Sequence, residues 1–310
     1  MPELPEVQTV VSELNTKLKN RKLKSVKVNA PKMIAVGPGV VSNRRQGKSS
    51  QVIKFVKLLQ GQKVLSVKRR AKLLIFDLSG PLSMLVHLKM TGQFIFEDKA
   101  LRAKTLGKYR LLNKVNAPLV QLPGKHTHVI FEFTDGSRLY FNDMRRFGYL
   151  KIVRDDEFNQ VKELNEYGPE PLGSKFTYDT FLTAIKNWSS KKISIKMLLM
   201  DPRFVAGIGN IYSDEILFLS GVRPERQVAS IKQQELSKIH TNIKKVLKIA
   251  IKAKGSSVGD FVRTDGSWGQ MGKFHHVYGR RGQKCKKCGT IIESIKLGGR
   301  TGSFCPKCQR

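Results

Sequence analysis

Cysteine is missing from the first 284 of the 310 residues. All four cysteines fall in the last 26, so no disulfide framework holds the body of the chain. Long apolar runs are missing too: no stretch reaches the ~18–20 uninterrupted apolar residues of a membrane helix. The chain start carries no basic segment followed by an apolar run, so no secretory signal is expected. There is no internal repeat and no long low-complexity tract. Acidic residues are scarce, 24 Asp and Glu against 57 Lys and Arg, for a formal charge of +33. Such an excess repels itself in a compact state unless a polyanion is near. An intracellular protein with a nucleic-acid partner is expected. An anionic membrane surface is the alternative that charge alone allows. The basic residues run through the whole chain, which favours a folded binding surface over a charged tail.

Leu4, Val7, Val10, Val11, Leu14 and Leu18 recur at three and four, which predicts a helix over 3–19. Pro2 and Pro5 fall in its first turn, where a missing N–H costs little. Residues 23–30 and 63–150 read as β, with strands at 72–78, 84–90 and 93–97. The 128–141 stretch alternates around Asp135-Gly136, a hairpin signal. Between them, 98–125 is basic and broken by Pro and Gly, and reads as an irregular surface insertion. EYGPEPLG at 166–173 cannot stay helical and reads as the end of a linker. Helical periodicity then dominates 178–254 and is clearest at Leu236, Ile239, Ile243, Val246, Leu247 and Ala250. A Gly-rich loop follows at 255–273.

The strongest motif is two Cys-x2-Cys pairs, Cys285/Cys288 and Cys305/Cys308, with 16 residues between them. That spacing suits a closed, tetrahedral, structural Zn²⁺ site, with a hairpin between the ligand pairs. Lys296 and Arg300 flank Gly298-Gly299 at the expected tip. That tip reads as a DNA-groove probe or as a solvated turn. In VAGIGN, Asn210 can cap the following helix, and free N–H groups there suit a phosphate. Read alone, the motif favours a capped helix that needs no ligand. Removal of Met1 would leave Pro2 as a secondary amine. A terminal amine has a pKa of ~7.7–8.0 against ~10.4 for lysine, so far more of it is the neutral nucleophile at pH 7. Attack on a sugar C1′ gives an iminium directly, which acidifies the C2′ proton. Glu3 stands beside it to handle protons, and Glu6 shares its side of the helix. A plain helix start is the competing reading.

Together MPELPEV (1–7), RRAKLLIF (69–76), HLKMTGQF (87–94), KHTHV (125–129), DMRRFG (143–148), GPEPL (168–172), AGIGNIYSDE (206–215) and VYGRRGQKC (277–285) run in order along nearly the whole chain. With the cysteine ribbon, they resemble bacterial formamidopyrimidine-DNA glycosylases. The resemblance implies a two-domain α+β fold. Its parts are an N-terminal β-sandwich with flanking helices (1–150), a linker (151–175), a helix–two-turns–helix domain (176–256), a lesion-lid loop (257–276) and a zinc-ribbon finger (277–310). It implies a monomeric, cytoplasmic, nucleoid-associated base-excision repair enzyme acting on double-stranded DNA. That enzyme is a bifunctional glycosylase and AP lyase removing 8-oxoguanine and formamidopyrimidines, then cleaving by β,δ-elimination. It holds one structural Zn²⁺.

By the same resemblance Pro2 is the Schiff-base nucleophile, Glu3 the general acid/base, Glu6 a supporting carboxylate and Lys72 an active-site strand lysine. His126, Arg145, Lys196, Asn210 and Arg300 match DNA contacts. Met90, Arg145 and Phe147 match the residues that fill the gap left by an extruded base. Met144 stands where the family commonly has Pro, and the 98–125 insertion is longer than usual. Two other readings compete. An endonuclease VIII-like enzyme for oxidised pyrimidines is disfavoured by Leu4 and by the filler trio. A non-catalytic zinc-ribbon binder of damaged DNA, or of RNA, leaves the chain start unexplained.

Overall fold

The computed structural model describes residues 1–41, 48–109, 111, 119–190 and 192–310. They form two compact units, Met1–Asn165 with Lys254–Gln270, and Glu166–Ala253 with Met271–Arg310.

In the first unit the chain runs α1 (Leu4–Leu18), β1 (Leu23–Val28), β2 (Ile34–Val36), α2 (Ser49–Leu59), β3 (Val64–Arg70), β4 (Leu73–Leu78), β5 (Leu82–His87) and β6 (Gly92–Glu97). It continues through α3 (Lys99–Thr105), β7 (Lys108–Tyr109), β8 (Val120–Gln121), β9 (Thr127–Phe133), β10 (Arg138–Asp143), β11 (Tyr149–Arg154) and α4 (Lys162–Asn165). One sheet has the order β1-β9-β10-β6 and the other β2-β11-β5-β4-β3. Alternate residues of β4, namely Leu74, Phe76 and Leu78, enter one core with Phe94, Phe131 and Phe141 of the first sheet. Phe76 meets Phe94 edge-on at 5.7 Å. The two sheets thus form a sandwich. The apolar stripe of α1 closes one flank of this core and Phe55 and Leu59 of α2 another. No element is read from sequence for 31–62, although Val52, Phe55, Val56 and Leu59 carry helical spacing.

Two expectations change. The 72–78 strand begins at Leu73, so Lys72 lies in the turn joining β3 to β4, with Ala71 at φ 53°. The described part of the 98–125 insertion is not irregular: α3 and the β7–β8 ribbon lie within it, and Tyr109, Leu111 and Leu122 are buried. Positions 110 and 112–118 lie outside the described residues. The Asp135-Gly136 hairpin forms as expected, with Gly136 at φ 83° and its N–H donated to the Phe133 carbonyl. Strand β11 carries the second sheet past position 150, and the first unit continues to Asn165.

The second unit holds α5 (Tyr178–Ser189), α6 (Ile195–Met200), α7 (Asn210–Ser220), α8 (Gln233–Lys252), β12 (Glu293–Leu297) and β13 (Arg300–Phe304). All six residues read as the α8 stripe are buried. The non-helical 166–173 segment is pinned by Gly168 N–H to the Pro202 carbonyl and by Ala206 N–H to the Pro169 carbonyl. β12 and β13 form the hairpin expected between the cysteine pairs.

Candidate active site and nucleic-acid interface

Helix α1 places the chain start in a buried setting. Pro2 is buried, and Glu3 and Glu6 are 3% and 1% exposed. The Glu3 N–H donates to Glu6 Oε2 at 2.8 Å, and the Ser256 N–H donates to Glu6 Oε1 at 2.7 Å. Glu6 thereby ties the helix start to loop 255–268. Gly255, at φ 78°, leaves room for this contact: a Cβ there would sit 3.0 Å from the Glu6 side chain. The Met1 amine is pushed below the ordinary terminal-amine value, chiefly by burial. Glu3, Glu6 and Asp260 oppose that shift, and Lys72 reinforces it. Of the residues expected to act together, Glu3, Glu6 and Lys72 each act on the charge of the amine that precedes Pro2.

His87 lies at the end of β5. Its Nδ1 accepts the Lys89 N–H at 2.9 Å. Burial, then the charges of Lys89 and Lys72, push its pKa down to about 3. It is a neutral imidazole at working pH.

Two turns carry Met90, Arg145 and Phe147. Leu88–Thr91 turns tightly into β6, and Gly92 is required there, since a Cβ would lie 2.4 Å from the Leu88 carbonyl. The second turn is 144–148. The Asp143 carboxylate joins them, accepting the Thr91 hydroxyl, the Arg145 N–H at 3.1 Å and the Gly148 N–H at 2.7 Å. Thr91 Oγ1 also accepts the Arg145 N–H at 3.0 Å. Met90 and Phe147 are each 37% exposed, and the Arg145 guanidinium lies 4.7 Å from the Phe147 ring centre. Two large apolar side chains thus stand in water beside an arginine. His126 is half-buried near Lys125 and Arg146, and burial, then those charges, lower its pKa. It lines a cavity of about 200 Å³ with Met144 and Asn142.

In the second unit the expected contacts divide. Arg300 is exposed at the hairpin tip, beside Gly298 and Gly299. Asn210 is not the cap: Gly209 is, and Asn210 is the first helical residue. Its Oδ1 is buried without a hydrogen-bond partner among the described residues. Lys196, matched above to a DNA contact, is fully buried. Its Nζ bonds Asp214 Oδ1 at 2.5 Å, Ser213 Oγ at 3.2 Å and the Asn210 carbonyl at 3.4 Å. It holds the start of α7 rather than facing solvent.

Sequence reading missed the residues that dock the ribbon. Asp214 Oδ2 accepts the Ser303 N–H of β13 at 2.9 Å. The Glu215 carboxylate accepts the N–H groups of His276, Val277 and Tyr278. Burial would raise the Glu215 pKa, but the His276 side chain and these N–H groups outweigh it and hold it low. The available signal was two consecutive carboxylates inside the apolar run NIYSDEILF. The Sγ atoms of Cys285, Cys288, Cys305 and Cys308 all lie within 4.8 Å of one another. Tetrahedral Zn–S bonds of ~2.3 Å put sulfurs about 3.8 Å apart, so the set fits one Zn²⁺. All four positions of such a site are protein ligands, which makes it structural.

The formamidopyrimidine-DNA glycosylase N-terminal domain matches residues 1–150, its H2TH domain 167–262, and the zinc finger found in FPG and IleRS 282–310. The formamidopyrimidine-DNA glycosylases of Listeria innocua and Lactiplantibacillus plantarum are each 37% identical over 310 residues, covering 100% of both chains. The Lactococcus lactis Fpg in complex with abasic-site DNA superposes with a TM-score of 0.79 at 30% identity, covering 99% of each chain. An L. lactis Fpg complex with Fapy-dG DNA gives 0.79 at 30% identity, covering 99% of this chain and 100% of that one. The buried Pro2, Glu3 and Glu6, the two turns joined by Asp143 and the four-cysteine ribbon thus occur in a chain that belongs to the formamidopyrimidine-DNA glycosylases.

Proposed function

We propose that this chain excises oxidised purines, 8-oxoguanine and formamidopyrimidines, from duplex DNA and then cleaves the strand. The observation that carries the reading is the buried, hydrogen-bonded Glu3–Glu6 pair beside Pro2, at an amine that Lys72 also holds toward its neutral form. Once Met1 is removed, the Pro2 nitrogen attacks C1′ as the bond to the damaged base breaks. The base leaves with a proton, and the nitrogen loses its own. Glu3 protonates O4′ as the C1′–O4′ bond breaks, which opens the sugar and gives the iminium; the iminium acidifies the C2′ proton, the Glu3 carboxylate takes it, and the 3′ phosphate leaves. A second elimination releases the 5′ phosphate. Lys72 adds positive charge beside the amine, which favours its neutral, nucleophilic form and attracts the phosphate.

Met90 and Phe147 fill the space left by the extruded nucleotide, and Arg145 hydrogen-bonds the orphaned base. Asn210 and Arg300 contact phosphates, as His126 does. Lys196 supports that contact by fixing Asn210. The enzyme works as a monomer in the cytoplasm, on the nucleoid. Excision from 8-oxoguanine:C and thymine glycol:A duplexes, with native and N-terminally acetylated protein, tests this. Faster release of 8-oxoguanine, abolished by acetylation, is expected. Preference for thymine glycol, or full activity after acetylation, would overturn it.

A further inference from the structure

The 98–125 insertion is anchored on the loop that borders the chain start. Gln93, 4% exposed on β6, donates its Nε2 to two carbonyls, Leu111 of the insertion at 2.8 Å and Asp260 of the loop at 2.5 Å. Tyr109, Leu111 and Leu122 of the insertion form a buried cluster with Val262, and Trp268 packs against it. Gly266, at φ 81°, lies against the Tyr109 ring, where even a Cβ would be 3.3 Å away. Tyr109 is itself fixed from below. Its hydroxyl and that of Tyr140 donate to the buried Glu97 carboxylate at 3.1 and 3.0 Å. The Phe96 N–H also donates to the Thr264 carbonyl at 2.8 Å. At its other end the loop bonds Glu6 through the Ser256 N–H.

We propose that the insertion is a positioning device: through Gln93 and the Tyr109 cluster it fixes loop 255–268 at the geometry required to hold an extruded base. The proposal rests on the excision reading above. Its chemical consequence is selective. A damaged nucleotide carries a base for the loop to contact, and an abasic site does not. The Glu3 N–H bond to Glu6 lies within the helix start and uses Oε2, whereas the loop's Ser256 N–H takes Oε1. Loosening the loop therefore weakens base release and spares strand cleavage at a site already abasic.

Gln93→Met removes both donors at nearly constant length, and Trp268→Ala, at a half-buried position, is the milder variant should the first not fold. Single-turnover excision from an 8-oxoguanine:C duplex is compared with cleavage of a preformed abasic:C duplex, with amide exchange over 255–268 followed alongside. The expected result is excision slowed by roughly tenfold or more, abasic cleavage within about twofold, and faster exchange in the loop. Unchanged excision despite faster loop exchange would overturn the proposal. So would an equal fall in both reactions, which marks general damage to the site. Failure of the unaltered enzyme to release 8-oxoguanine would instead remove the reading beneath it.

Discussion

His87 is buried and feels the charges of Lys89 and Lys72, and its protonation is linked to folding. The unfolded ring binds a proton near its ordinary ~6.5, the folded ring only near 3. Between those values the unfolded chain holds the extra proton, so stability falls as pH falls. From pH 7 to pH 5 this contributes a loss of roughly 1–2 kcal/mol, which His87→Gln should remove. Urea midpoints of both proteins at the two pH values check it, and equal losses would contradict it. Single residues were legible where chemistry is tied to local spacing. Pro2, Glu3 and the four cysteines announce themselves within a few positions. Lys196 did not, because its partner Asp214 is 18 residues away and only folding brings them together. Lys72 was placed on a strand because alternation does not mark where a two-residue turn ends.

At the scale of elements, carboxylates act as fasteners. Asp143 holds the two filler turns in register, so Asp143→Asn should blunt discrimination against A opposite 8-oxoguanine while leaving abasic cleavage intact. The ratio of excision rates opposite C and A measures it, and an unchanged ratio would separate Arg145 from that latch. On α7, Asp214 and Glu215 dock the ribbon, and Lys196→Met leaves Asp214 buried without its cation. Breaking one side of a buried pair costs about 3–5 kcal/mol. Urea unfolding should show a loss of that size, together with weaker DNA binding because Asn210 and Arg300 lose their mounting. A loss below about 1 kcal/mol would show the pair to be dispensable. Elements with strong periodicity, α1, α8 and the 128–141 hairpin, were readable in advance. Helix α2 was missed, and the insertion was misread because its buried side, Tyr109, Leu111 and Leu122, is too sparse to form a period.

Across the whole molecule the +33 charge and the two units set how binding and folding respond to conditions. Phosphate neutralisation releases counterions, so affinity falls steeply with salt. Arg300→Ala should lower the slope of log affinity against log salt by about 1, and an unchanged slope would remove Arg300 from the phosphate contacts. Chelating zinc should unfold the ribbon and abolish DNA binding while the sandwich stays folded, seen as retained amide protection in 1–165. The overall fold was legible because ordered motifs span nearly the chain. The bonding of loop 255–268 to Glu6, Gln93 and Phe96 was not, because it joins residues more than 160 positions apart. The claim on which the rest depends is the nucleophile. Borohydride reduction of the reacting enzyme on an 8-oxoguanine:C duplex, with peptide mapping and the intact mass of the free enzyme, addresses it directly. A sugar adduct on the Pro2 nitrogen of protein lacking Met1 is predicted. An adduct on a lysine side chain, or none on processed and active protein, would contradict it.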